Sequence, residues 1–202
     1  MLCLSSEPKY YMFFDTETTG LPKNYNAPSS DTDNWPRMVQ LSWVMMKEDG
    51  SEFRGFRKRD FIIQPDGFTI PREASNLHGI TTERAMREGK PLRYVLDKFN
   101  DDLRRADTIV GHNVEFDIKV VGAEMIRLGM EDLVSRKPFI CTMKQTVDFC
   151  EIPGKYGYKW PKLEELYYKL FNSGFSGAHN AMNDVMATVE CFRALKRRGI
   201  ID

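Results

Sequence analysis

The sequence predicts one α/β domain built on a mixed sheet with helices packed against it. Three observations carry this expectation. Short aromatic and β-branched runs fill the first part of the chain and are joined by turn residues, as in an antiparallel meander. From Thr82 onward the apolar spacing changes to that of helices, and strands and helices then alternate. The length, 202 residues, suits a single core, and no linker, internal repeat or low-complexity segment divides it.

The elements follow in order. After a short N-terminal extension at 1–9, Tyr10–Phe14 is a run of bulky apolar residues, too short for a helix, that leads straight into Asp15 and Glu17. The polar stretch at 22–36, rich in Asn, Ser, Asp and Pro, reads as a long loop of the kind that is often functional or mobile. Val39–Met46 has strand character, 47–51 supplies a turn, and Arg59–Gln64 is a third strand closed by Pro65-Asp66-Gly67. Thr82–Glu88 is a short helix with Thr81 as N-cap and Gly89 as stop. Leu92–Arg105 places Leu92, Val95, Leu96, Phe99 and Leu103 on one helical face.

Thr108–Gly111 is a short buried strand, Val114–Leu128 a helix ending near Gly129, and Phe139–Thr142 a further strand followed by a helix to about Cys150. Ile152–Trp160 is a Gly- and Lys-rich loop. Its aromatics Tyr156, Tyr158 and Trp160, interleaved with Lys155 and Lys159, read either as a partly buried loop or as a stacking platform for single strands, with the buried loop preferred. Lys162–Phe171 returns to helical spacing. The last helix spans Ala181–Arg198, and Lys196, Arg197 and Arg198 in its final turn suit the macrodipole.

Composition narrows the function classes. Acidic and basic residues balance to a formal net charge of zero, which argues against a long electrostatic footprint on duplex nucleic acid. A grip on a few terminal nucleotides stays open. Cys3, Cys141, Cys150 and Cys191 are scattered without a C-x-x-C pair, so they read as reduced thiols rather than a disulfide framework or zinc site. No signal-peptide pattern and no apolar run of membrane-span length occur. The expectation is a soluble cytoplasmic protein with no membrane partner.

The chemistry begins at the end of the first strand. Side chains alternate there, so Asp15 and Glu17 share a face while Thr16 points to the other. Two acids leaving a hydrophobic strand are costly unless compensated, and a divalent cation is a natural compensator because hard cations prefer carboxylate oxygen. Two later segments repeat one spacing. In Gly111-His112-Asn113-Val114-Glu115-Phe116-Asp117, Asn113 is a natural N-cap and Asp117 lies one turn inside the helix. In Ala178-His179-Asn180-Ala181-Met182-Asn183-Asp184, Asn180 and Asp184 stand in the same relation. Either acid alone reads equally well as an ordinary first-turn surface residue.

His179 lies five positions before Asp184, which on a continuous helix would turn the two roughly 140° apart. It shares a site with Asp184 only from the loop before the cap, and Asn172-Ser173-Gly174-Phe175-Ser176-Gly177 supplies such a loop. His78 and His112 are the competing histidines, and nothing local ties either to two acids.

FDTETTGL, HNVEFD and HNAMND, in that order, resemble the three exonuclease motifs of the DnaQ-like DEDD superfamily, in the subgroup with a histidine in its third motif. The resemblance runs from Phe13 to about Phe192, with weaker echoes in Leu77-His78-Gly79-Ile80-Thr81 and Lys162-Leu163-Glu164-Glu165-Leu166. It implies a ribonuclease-H-like fold with a five-stranded mixed sheet flanked by helices, and one exonuclease domain over 1–202. It also implies that Asp15, Glu17, Asp117 and Asp184 hold two Mg²⁺ or Mn²⁺ ions. Asp15 would bridge them, and Glu17 and Asp184 would help hold the ion that binds the attacking water.

His179 would be the general base, and the product a nucleoside 5′-monophosphate released from the 3′ end of DNA or RNA. The implied partner is the 3′ end of a single-stranded or frayed nucleic acid, in proofreading, repair or turnover. The Thr18 amide would contact the terminal 3′-hydroxyl, Leu21 would wedge against the last base, and Asn113 and Phe116 would line the pocket; core packing is an equal reading for Phe116. The loop at 22–36 is longer than a minimal member needs. The chain stops just after its last predicted helix, so the polymerase-binding tail of the bacterial epsilon subunit is not expected and polymerase association is not indicated. No feature sets the oligomeric state.

The physical logic agrees with the resemblance. Four carboxylates within a few ångströms repel one another without cations, and a histidine titrating near neutrality can take a proton from water. Two rivals explain less. A haloacid-dehalogenase-like phosphatase also carries an acid pair, Asp-x-Asp, after a hydrophobic strand, but here the second acid is Glu17 and both later motifs go unused. A catalytically silent nuclease-fold binding module is expected to have lost a ligand, and all five positions are intact.

Overall fold

The central strand, β1 (Tyr10–Thr18), decides where everything else goes. Antiparallel pairing joins it to β2 (Met38–Lys47), and β2 to β3 (Arg59–Ile62). The computed structural model describes residues 9–47 and 58–201. Most of the turn predicted at 47–51, most of the extension at 1–9, and Cys3 therefore lie outside the described residues.

The next segment holds three helices, α1 (Arg72–His78), α2 (Thr82–Glu88) and α3 (Leu92–Leu103). Then come β4 (Thr108–Gly111), α4 (Val114–Arg127), β5 (Phe139–Cys141), and the short helices α5 (Thr142–Gln145) and α6 (Val147–Cys150). A two-stranded hairpin, β6 (Pro153–Gly154) and β7 (Gly157–Tyr158), precedes α7 (Leu163–Phe171) and α8 (Ala181–Arg197). The main sheet has five strands in the order β3-β2-β1-β4-β5. β4 runs parallel to both β1 and β5, so the sheet is mixed, as expected.

Alternation along β1 builds two cores. Met12 and Phe14 face α3 and α4, where Trp43, Phe99 and Val121 join them. Tyr11 and Phe13 face α7 and α8, among Leu166, Val189 and Phe192. Because Asp15 and Glu17 share the parity of Tyr11 and Phe13, they emerge on the α8 side, while Thr16 emerges on the α4 side. Pairing of β1 with β4 ends at Phe13–Val110, whereas pairing with β2 continues to Thr18. The segment 15–18 therefore has a sheet neighbour on one side and an open edge on the other. The first turns of α4 and α8 come to that open end.

Most predicted elements agree with these bounds to within two residues, Thr81 caps α2 through Arg84 N–H as expected, and Gly89 ends it. α1 and a 3₁₀ turn at Val134–Arg136 were not predicted. The single helix expected up to Cys150 breaks at Thr146, whose hydroxyl donates back to the Thr142 carbonyl at 2.7 Å. The loop predicted at 152–160 contains the small hairpin. Cys141, Cys150 and Cys191 are buried free thiols. Among the described residues no helix is long and apolar enough to cross a membrane.

The 22–36 loop does not float. Asn24 and Asn34 cross-link it, through Asn24 N–H to Asn34 Oδ1 at 2.7 Å and Asn34 Nδ2 to the Asn24 carbonyl at 2.9 Å. Arg127 of α4 reaches the carbonyls of Thr32 and Trp35 at 2.5 and 2.7 Å. Buried Glu124 accepts from Arg37 Nε and Met38 N–H, both at 2.9 Å. This ties the loop's exit to α4, and the loop in turn brings Tyr25 and Trp35 against Phe116, with ring centroids 6.4 and 6.2 Å away.

Candidate active site

Asp15, Glu17 and Asp184 each offer a carboxylate oxygen, and the three oxygens lie within 4.8 Å of one another. Glu17 is only 8% exposed, and Asp15 and Asp184 are half-buried. Burial and mutual repulsion make the ionised forms expensive. Asp15 is raised well above the usual carboxylate range by burial, then by the charges of Asp117, Asp184 and Glu17. Glu17 is pushed up to about 8 by burial and by Asp184 and Asp117. Burial raises Asp184 to about 6, against the lowering effects of the His179 amide and imidazole.

Asp117 arrives from the opposite face of the sheet. It is 3% exposed, and its Oδ1 accepts from Thr16 N–H at 3.0 Å and Thr16 Oγ1 at 2.7 Å. The acid thus takes over the backbone donor that β4, ending early, leaves open. Burial raises its pKa, while the two Thr16 hydrogen bonds pull the other way. Thr16 was expected only to point away from the pair; it does so, and there it holds Asp117. Nothing in the sequence links Thr16 to Asp117, although its place between two strand acids puts it on the face that α4 covers.

His179 lies in the loop before α8, in the left-handed region at φ 65°. Its amide donates to Asp184 Oδ2 at 3.2 Å. Asp184 Oδ1 is buried and has no hydrogen-bond partner. Asn180 caps α8 as predicted, accepting from Asn183 N–H at 3.3 Å. Asn113 occupies the cap position of α4 but differs from expectation: it sits at φ 63° and its side chain makes no cap bond.

The other two histidines have different partners. Burial lowers His112 to about 4, and its ring bridges Thr142 Oγ1 at 3.0 Å and the Pro161 carbonyl at 2.9 Å. His78 is buried, with Nδ1 accepting from Ile80 N–H at 3.1 Å.

Of the remaining candidates, Thr18 follows an irregularity in the β1–β2 register, and its hydroxyl donates to the Gly20 carbonyl at 2.7 Å. Leu21 is 76% exposed just beyond it. Phe116 is half-buried, packed on the α4-side core and edged by Tyr25 and Trp35, so both readings of it keep a foothold.

Comparison with known proteins identifies the family. The family model of the RNase T exonucleases covers residues 12–192. The chain belongs to the DnaQ-like DEDD exonucleases. The chain is 32% identical over 187 residues to a PolC-type DNA polymerase III of Pediococcus pentosaceus, a match covering 92% of the chain and 11% of the relative. A PolC-type relative from Streptococcus sanguinis is 30% identical over 134 residues, covering 66% of the chain and 8% of the relative. The chain therefore spans about a tenth of the length of these polymerases. Among solved structures, E. coli exonuclease I in complex with a dT13 oligonucleotide superposes with a TM-score of 0.75 at 21% identity, over 94% of the chain and 41% of that protein. A zinc-bound complex of the same E. coli enzyme with single-stranded DNA gives a TM-score of 0.72 at 20% identity, over 95% of the chain and 41% of that protein. The sheet, five mixed strands with helices on both faces, is ribonuclease-H-like.

Proposed function

We propose that this chain is a two-metal-dependent 3′–5′ exonuclease that hydrolyses the 3′-terminal phosphodiester of DNA or RNA and releases nucleoside 5′-monophosphates. The observation that carries the reading is the trio of carboxylate oxygens within 4.8 Å, with Asp184 Oδ1 buried and unpartnered. Buried acids that repel one another and leave a lone pair without a donor fit hard cations such as Mg²⁺ or Mn²⁺. Asp15, Glu17, Asp117 and Asp184 are the proposed ligands. Divalent cations bound there would neutralise charge on the phosphate and on the attacking and leaving oxygens.

The chain's own groups do the rest. Water attacks phosphorus in line with the departing 3′-oxygen of the penultimate nucleotide, and the His179 imidazole takes the water's proton. The left-handed turn at His179 holds its amide on Asp184, which keeps base and ligand in one unit. The Thr18 amide donates to the terminal 3′-hydroxyl, exposed Leu21 wedges against the last base, and Asn113 and Phe116 line the pocket. The oligonucleotides bound to E. coli exonuclease I support a single-stranded substrate for this fold.

The test is incubation with 5′-labelled single-stranded DNA and RNA in Mg²⁺, Mn²⁺ or EDTA. A ladder that shortens from the 3′ end only with metal is expected. Phosphate release from small esters without a ladder would instead favour the phosphatase, and binding without turnover the silent module. His179→Ala is expected to lose about 10²–10⁴-fold in rate; near-normal turnover in a folded variant would remove the histidine from its role.

A further inference from the structure

The β6–β7 hairpin does no visible work for the fold. It forms its own two-stranded sheet, and Tyr156, Tyr158 and Trp160 belong to none of the apolar cores. Their exposures are 90%, 51% and 61%. The preference for a partly buried loop is therefore overturned: the backbone pairs Gly154 with Gly157 across a tight turn, which projects Lys155 and Tyr156 into solvent. A Cβ at Gly154 would be crowded there, meeting the Gly157 carbonyl oxygen at 3.0 Å. Single exposed aromatics are ordinary, but three within five residues form a patch.

The charge pattern says what the patch suits. Residues 152–162 contain Lys155, Lys159 and Lys162 and no acid. Lys155 Nζ lies 5.0 Å from the Tyr156 ring centroid, and Lys144 Nζ 5.9 Å from that of Trp160. Lys159 is paired with Glu165 at 2.6 Å, and Lys144 with Glu115. Flat rings interleaved with ammonium groups match a strand of bases and phosphates, whereas lysine is depleted where proteins meet proteins.

The patch is also anchored to the start of α4. The Pro161 carbonyl, next to Trp160, is held by His112 Nε2 at 2.9 Å, and His112 directly precedes Asn113. Lys144, under Trp160, pairs with Glu115, the neighbour of Phe116. A polynucleotide whose 3′ end lies at Asn113 and Phe116 thus has Trp160 within reach of its upstream nucleotides.

We infer that Tyr156, Tyr158 and Trp160, with Lys155, form a stacking platform for the single-stranded polynucleotide upstream of the scissile bond. The inference rests on the exonuclease reading for its direction, but binding tests it separately. Trp35 and Trp43 are buried, so the iodide-accessible tryptophan emission belongs to Trp160. In EDTA, where turnover is off, an oligothymidylate or oligouridylate of about 20 nucleotides is expected to shield that emission.

Kinetically, Trp160→Ala and Tyr156→Ala are each expected to raise KM on such an oligonucleotide about five- to tenfold with kcat retained. Trp160→Phe should restore most of the loss. Hydrolysis of the p-nitrophenyl ester of thymidine 5′-monophosphate, which has no upstream strand, should not change. Wild-type turnover with unshielded Trp160 and unaltered KM in both variants would overturn the platform. Shielding without any turnover would keep the platform and remove the exonuclease reading instead.

Discussion

The helices α4 and α8 open with the same spacing, an Asn four residues before an Asp, and put it to different uses. At α4, Asn113 adopts a left-handed backbone and caps nothing, while Asp117 is buried and already accepts two hydrogen bonds from Thr16. At α8, Asn180 is extended and caps, while Asp184 keeps one buried oxygen without a partner. One acid is partly consumed in closing the edge that β4 leaves beside β1. The other is left available. A shared motif therefore fixes where two carboxylates go without fixing what each does before a ligand arrives.

Removing each acid breaks the comparison most directly. Asp184→Ala should cut metal-dependent cleavage by roughly a thousandfold or more. Its metal-free stability should not fall, since only the His179 amide, beside solvent, loses an acceptor. Asp117→Ala should lose comparable activity and also about 1–3 kcal/mol of stability, because the buried Thr16 amide and hydroxyl are left unpaired. Asp117→Asn keeps an acceptor oxygen and should recover most of that stability while staying inactive. Urea unfolding in EDTA beside ladder rates separates the two acids; equal stability of the two alanine variants would end the distinction.

The next effect concerns pH. Glu17 and Asp184 are raised to about 8 and about 6 in the fold. The folded protein therefore holds protons that the unfolded chain has already released, and stability falls as pH rises through that interval. Metal-free protein should lose on the order of a few kcal/mol between about pH 5 and 8. Mg²⁺ should flatten the profile by replacing the protons, and Asp184→Ala should flatten it by removing one repelling charge. Thermal midpoints in EDTA and in Mg²⁺ across this range provide the check. A metal-free midpoint that climbs with pH would contradict the account of the acids.

What was legible in the sequence follows from this contrast. Asp15 and Glu17 were readable because strand parity is local, and Asp117 and Asp184 because helix starts have local signals. Thr16 as the holder of Asp117 was not, since that contact spans the sheet edge between residues 101 positions apart. The 22–36 loop read only as a long polar loop, because much of its order comes from Arg127 and Glu124, both on α4. α1 has seven residues and Pro71 where a capping side chain is usual, so it gave little warning. The β6–β7 hairpin was missed because its central turn residues are Lys155 and Tyr156, without the Asn or Gly that marks tight turns.

The smallest effect bears on the two asparagines themselves. A backbone at φ 63° with no side-chain cap bond is tolerated at Asn113, because Asn enters the left-handed region more readily than other residues with a Cβ. Asn113→Gly should hold stability steady, and Asn113→Ala should cost about 1 kcal/mol. At Asn180 the side-chain oxygen is what matters, so Asn180→Ser and Asn180→Asp should be close to neutral and Asn180→Ala should cost about 1 kcal/mol. Asn180→Gly should fall between them. Glycine is thus the best replacement at one helix start and a middling one at the other. If the two positions instead rank the same replacements alike in chemical unfolding, the left-handed start of α4 is wrong, and with it the reason α4 can lower Asp117 into the gap beside Thr16.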